Sequence, residues 1–114
     1  MASQANTLLT PRVITDNFVQ PEHEWLDLGA FGRLGVEILV LTAGNGPDSE
    51  KLLIESAAMN DDGSFKPIAG LEAQLNTAGV VHVYASEFMR YIRVRVSGSV
   101  SGAPVVTVHL IAKE

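Results

Sequence analysis

At 114 residues, with 46% hydrophobic and 18% charged side chains, the chain is the size of one domain with one core, and its composition excludes disorder over most of its length. A formal net charge of -5 and a pI of about 5.1 argue against nucleic acid as a partner, because phosphate binding draws on clustered Lys and Arg. The absence of cysteine excludes disulfides and thiolate metal sites and matches a reducing compartment.

Residues 1–11 are polar apart from Leu8 and Leu9 and end in Thr10-Pro11, which reads as a flexible or partner-bound arm preceding a β-sandwich domain over residues 12–114. The first residues lack the charged n-region and apolar h-region of a secretory signal. Cytoplasmic synthesis is therefore expected, with residence in a virion or other particle as the further expectation. No apolar stretch approaches the ~20 residues of a membrane helix, since Glu37, Thr42 and Gly44 interrupt the longest one, so no membrane partner is expected.

Strand candidates follow at short intervals: residues 12–15, 24–28, 34–42, 51–57, a piece near Phe65, another over 73–76, then 80–84, 90–97 and 104–112. Turn chemistry separates them. Residues 43–48, with Gly44, Asn45, Gly46, Pro47 and Asp48, form a loop by composition. Asn60-Asp61-Asp62-Gly63 is a tight-turn signal, and residues 97–102 read as a hairpin-like connection between the last two strands. No stretch sustains a helical period; the best candidate is Ser49 to Met59. About eight or nine short strands with connections too short for helical crossovers predict an all-β, antiparallel, jelly-roll-like sandwich.

Three strands carry more than fold information. In Leu34 to Leu41 the residues Leu34, Val36, Ile38 and Val40 make one face, and Leu39 and Leu41 make the other apolar too. The last strand has the same double character through Val105 and Ile111. Such a second face is covered by a loop of the same chain or meets another chain. In Arg90-Tyr91-Ile92-Arg93-Val94-Arg95-Val96 the aliphatics point one way, while Tyr91, Arg93 and Arg95 point the other. Guanidinium groups on that face suit the carboxylates of a partner, and this acidic chain supplies such carboxylates to a second copy. Pairing with Glu37 or Glu55 of the same chain is the competing reading.

Catalytic chemistry finds little support in the residues. His23, His82 and His109 have no partner identifiable by spacing, and no Gly-x-Ser-x-Gly elbow is present. Residues 60–64 lack the alternating ligands and late glutamate of a calcium loop. Carboxylates such as Asp27, Glu37, Glu55 and Asp62 cannot be paired from sequence alone. No cofactor or metal is expected.

The order Trp25-Leu26-Asp27-Leu28-Gly29, the strand 36–41, Leu52 to Ser56, Asp62-Gly63-Ser64-Phe65 and Arg90-Tyr91-Ile92-Arg93-Val94 resembles discoidin-like, galactose-binding-like sandwiches over roughly residues 24–98. The resemblance implies a jelly-roll framework, and carbohydrate as a partner through loops at one end, near Asn45 and Asp48 and near Asp62 and Phe65. In style the chain also resembles small accessory structural proteins of tailed phages. The reading that follows is a non-enzymatic structural subunit that associates with itself or with a larger assembly through Leu8, Leu9, Leu39, Leu41, Tyr91, Arg93 and Arg95. A small carbohydrate-binding module is the alternative.

Overall fold

Where apolar and polar residues alternate, the backbone is extended. The computed structural model describes residues 3–29 and 31–114, and in chain order it contains β1 (Ser3–Val13), β2 (Leu26–Asp27), β3 (Arg33–Thr42), β4 (Lys51–Ala57), β5 (Lys66–Gln74), β6 (Gly79–Ala85), β7 (Tyr91–Arg95) and β8 (Val105–Lys113). One-turn 3-10 helices at Glu22–Glu24 and Asp62–Ser64 are the helical elements of the described residues. Pairing runs inward from the two chain ends: β1 with β8, β2 with β7, β3 with β6 and β4 with β5, all antiparallel. Further pairings of β3 with β8 and β4 with β7 gather the strands into two four-stranded sheets, β1-β8-β3-β6 and β2-β7-β4-β5. A long hairpin wound on itself in this way is the jelly-roll form of the sandwich.

The core lies between the sheets. Val36, Ile38 and Val40 of β3 and Val106, Val108 and Leu110 of β8 meet Leu52 and Ile54 of β4 and Ile92 and Val94 of β7. Complete burial of such a side chain contributes roughly 1.5–3 kcal/mol, so the period-two pattern of these strands fixes which face turns inward.

Several expectations are corrected. The N-terminal arm is a strand: β1 pairs with β8 from Ser3↔Lys113 to Val13↔Val105, so a boundary after residue 11 falls inside a sheet. Residues 1–2 lie outside the described residues. Leu8 and Leu9 are both in the core, because register breaks between Thr7 and Leu9 and between Leu9 and Arg12 let consecutive leucines point inward. The strand expected over residues 51–57 is β4, with Leu52 and Ile54 on one buried face, and the weak helical candidate at 49–59 gives way to it. The pieces near Phe65 and over 73–76 join into β5, which pairs with β4 across a register break and carries Gly70 at φ 81°. Residues 97–102 do not close a hairpin, because β7 and β8 belong to different sheets.

Loops after β1, β3, β5 and β7 gather at one end. Asn17 and Asp16 accept from the N–H groups of Gly98 and Val100, at 2.9 and 2.7 Å. Gly44 donates to Leu75 C=O at 2.7 Å, and Asn45 donates to Ser101 C=O at 3.1 Å. A Cβ on Gly44 would lie 2.6 Å from the Ser101 carbonyl oxygen, so this approach requires glycine. At the other end Leu28 donates to Arg90 C=O, Met89 donates to Ser56 Oγ, and Gly32 donates to Lys113 C=O.

One side chain ties the sheets together where β1 and β2 leave them open. Val96 donates to Phe18 C=O, Val19 bridges Arg95, and Gln20 N–H donates to Val94 C=O at 3.1 Å, so residues 18–20 continue the line of β2 along β7. Gln20 is buried. Its Oε1 accepts from Val94 N–H at 3.0 Å and its Nε2 donates to the Leu8 carbonyl of β1, so one amide bonds both sheets. Gln20→Leu leaves both backbone groups unpaired in the interior. The expected loss is about 2–4 kcal/mol, read as a lower urea midpoint with an unchanged m-value.

Candidate interaction surface

The basic face expected on β7 turns out to be an internal cluster. Cross-strand register sets Glu55 of β4 opposite Arg93 of β7 on the outer face of the second sheet. Arg93 Nε donates to Glu55 Oε1 at 2.9 Å, and Nη1 donates to Asp62 Oδ1. Although outward in the pleat, Arg93 is only 2% exposed and Glu55 only 1%. Trp25 and Phe65 cover them: the two rings meet edge to face at 4.6 Å, and the guanidinium carbon lies 4.0 Å from the Phe65 centroid and 5.5 Å from that of Trp25. Trp25 is itself held by donation from Nε1 to Gln20 C=O at 2.7 Å. Trp25, Glu55, Asp62, Phe65 and Arg93, from four segments far apart in the sequence, thus converge in one packed cluster.

Of the sequence-predicted contacts, Arg93, Leu8 and Leu9 are buried within the chain and cannot meet a partner. Arg95 keeps 41% of its side chain exposed and lies 3.6 Å from Glu55 Oε2. Tyr91 is half-buried, with the Arg90 guanidinium 5.2 Å from its centroid. Leu39 is half-buried and Leu41 is exposed. The ligand loops expected to share one end of the sandwich lie at the two ends of β4, because that strand starts after Asp48 and finishes before Asp62. Phe65 is buried against Arg93 and Trp25 and offers no free ring face. Asp48 accepts from Asn76 Nδ2 at 2.8 Å.

The outer face of the first sheet is the open one. In its pleat Leu39 stands beside Val80, and Gly35 lies between Tyr84 and Ile111. Leu41, Val80, Tyr84 and Ile111 are 50%, 56%, 78% and 39% exposed. A Cβ on Gly35 would sit 3.2 Å from Ile111 and 3.3 Å from the Tyr84 ring, so the glycine lets these two side chains close over the sheet. Between the two apolar groups runs a polar row. Glu37 stands between His82 and His109; Glu37 Oε2 is 2.9 Å from His82 Nε2, and Thr7 Oγ1 is 3.2 Å from His109 Nδ1. Among the described residues no three His, Asp or Glu side chains are grouped to hold a metal ion. Val80, Tyr84 and Ile111 were not among the predicted contacts. The signal for Val80 and Tyr84 was the apolar content of both faces in residues 80–84, the same signal that marked Leu39 and Leu41, while the double character of the last strand had already marked Ile111.

A third feature lies at the end of the sandwich that carries the chain termini. Arg90 donates from Nε and Nη2 to both oxygens of Asp27, at 2.8 Å each, beside an open groove of about 770 Å³ lined in part by Phe31, Phe88 and Met89. Hydrogen bonds from Arg90, helped by the Gly29 N–H and opposed by slight desolvation, hold the Asp27 carboxyl below its usual value.

Neither a protein-family model nor a curated protein sequence matches the chain. Solved structures do. The K2 cleaved adhesin domain of Lys-gingipain superposes with a TM-score of 0.57 at 8% identity, over 78% of this chain and 60% of that one; this chain thus spans less than two thirds of that adhesin's length. The SPBc2 prophage-derived protein YomS superposes with a TM-score of 0.57 at 17% identity, over 97% of this chain and 92% of that one. A Bacillus endospore appendage protein, from disulfide-linked pili, gives a TM-score of 0.44 at 14% identity. At these identities the likeness is one of all-β fold.

Arg93→Met strands a buried carboxylate and is expected to destabilise by about 3–5 kcal/mol, whereas adding Glu55→Met is expected to recover most of the loss; urea denaturation of the single and double variants measures the coupling. In an NMR pH titration the Asp27 carboxyl is expected to titrate below an ordinary aspartate and to return to the ordinary value in Arg90→Ala. Because the folded pKa is the lower one, the stability linked to Asp27 is fully present above its unfolded pKa and is lost as pH falls through the folded pKa.

Proposed function

We propose that the protein is a non-enzymatic structural subunit that assembles with itself or decorates a larger, phage-like particle. The observation that carries this reading is the outer face of the first sheet, where Leu41 and Ile111 are left exposed on β3 and β8, whose other face builds the core, and Val80 and Tyr84 on the edge strand β6, whose other face packs against the core through Val83 and Ala85. A monomeric sandwich ordinarily keeps polar residues there. The superposition with the prophage-derived protein YomS, which spans nearly the whole of both chains, supports the phage-like setting. The arrangement of titratable groups points the same way: His82 and His109 are engaged by Glu37 and Thr7 on an open sheet surface, without the enclosed site in which a general base is usually tuned.

Carbohydrate binding is the less favoured reading. It requires a loop cluster with an exposed aromatic face for the sugar, and Phe65, the one aromatic in the expected loops, is packed between Arg93 and Trp25.

Light scattering of the purified chain is expected to give a mass well above the 12.2 kDa of one copy, and to change little between low and high salt, because the exposed groups invoked are apolar. A monomer whose melting temperature rises on adding a sugar would favour the carbohydrate reading instead.

A further inference from the structure

A sheet edge exposes a row of unpaired N–H and C=O groups, and natural sandwiches block such rows with prolines, charges, bulges or short strands. Here the edges of the two sheets are β1, β6, β2 and β5, and three of them are blocked. β1 carries Pro11 and two register breaks. β2 is two residues long and follows a 3-10 turn. β5 carries Lys66, Pro67, Gly70 at φ 81° and a register break, and its Glu72 is paired with Lys51 at 2.7 Å. Past its first residue, Gly79 at φ 144°, β6 has none of these devices. It is seven residues long, has no proline and no Lys, Arg, Asp or Glu, and keeps unbroken register with β3 from Leu34↔Ala85 to Val40↔Gly79. Its central run Val80-Val81-His82-Val83-Tyr84 is rich in β-branched and aromatic residues.

We infer that β6 is a docking edge at which a second copy of this chain adds its own β6, antiparallel, about a two-fold axis at His82. The inference rests on the structural-subunit reading and names its contact. A row of backbone donors and acceptors is satisfied by another strand, and the side chains favour a copy of this strand. The two-fold sets Val80 opposite Tyr84 of the second copy and Val81 opposite Val83, which are aliphatic–aromatic and aliphatic pairs of the kind that stabilise a sheet. It also makes the outer face continuous. Within one chain the row of His82, Glu37 and His109 separates Leu39 and Val80 from Tyr84 and Ile111. Across the axis, Leu39 and Val80 run directly into Tyr84, Gly35 and Ile111 of the second copy. An unrelated strand would not supply that row. No charge on β6 opposes the approach, and each His82 is held back toward its own Glu37 at 2.9 Å.

The register gives the test. In V80K/Y84K each lysine faces a lysine of the second copy; in V80K/Y84E each lysine faces a glutamate. Both sites are exposed, so the monomer fold is expected to persist, checked by the urea midpoint. Sedimentation equilibrium over a concentration series is expected to show self-association weakened roughly tenfold to a hundredfold in V80K/Y84K and restored to within about tenfold of wild type in V80K/Y84E. Hydrogen exchange is expected to show β6 amides losing protection on dilution of the wild type. An oligomer indifferent to V80K/Y84K overturns the edge contact while leaving the structural-subunit reading in place. A wild-type monomer with freely exchanging β6 amides overturns pairing with a second copy and leaves the edge to a strand from a different chain.

Discussion

Every backbone N–H and C=O of a two-sheet sandwich must find a partner or face water, and how the sheet edges meet that demand decides much of this structure. The jelly-roll winding satisfies the interior strands by pairing each with two neighbours. It leaves a seam where β1 ends one sheet and the short β2 ends the other. There the chain cannot continue as a strand, because Pro21 and the turn Glu22–Glu24 carry it away from β7. Gln20 stands in for the missing ladder: its amide takes the Val94 N–H on one sheet and reaches the Leu8 carbonyl on the other. The excursion it permits brings Trp25 back over the second sheet, held by the Gln20 carbonyl, and Trp25 in turn encloses Arg93.

That enclosure changes what the arginines of β7 can do. On a solvated face, an Arg–Glu cross-strand pair gains little and remains available to a partner. Under Trp25 and Phe65, Arg93 and Glu55 have left water, so each requires the other. Asp62, on the loop that also supplies Phe65, adds a further carboxylate to the same guanidinium. Four segments distant in sequence are pinned at one point, and the loop between β4 and β5 is thereby fixed for structural reasons.

The strands were legible where alternation met a clear turn. β4 lies where it was expected, β6 extends the expected range 80–84 by one residue at each end, β8 shifts the range 104–112 by one, and β3, whose two apolar faces left open cover by a loop or contact with another chain, is an interior strand with Leu41 exposed. β1 was not legible because an edge strand in water tolerates Gln4, Asn6, Thr7, Thr10 and Pro11, and because two leucines side by side violate the period unless a bulge intervenes. The fate of β7 was unreadable for a different reason. Alternation tells which residues leave the core face, but not whether something covers the other one. The cover came from Trp25 and Phe65, which lie 68 and 28 positions before Arg93, and no local pattern joins them. The competing reading that paired Arg93 with Glu55 of the same chain is the one the register realises.

Charge follows the same logic and narrows how this surface can recognise anything. Arg12 is paired with Glu24, Lys51 with Glu72, Arg90 with Asp27, and Arg93 and Arg95 with Glu55. Most of the basic side chains are thus engaged by carboxylates of their own chain, and the net charge of -5 gives two copies a mild mutual repulsion at long range. Attraction on the proposed reading must therefore arise at short range, from apolar pairs and from backbone groups in need of partners. Such forces fix register more sharply than direction of approach, because a slip of one residue along β6 exchanges its two faces. A subunit built this way would find its neighbours slowly and hold them in one geometry, which is what a repeated assembly requires.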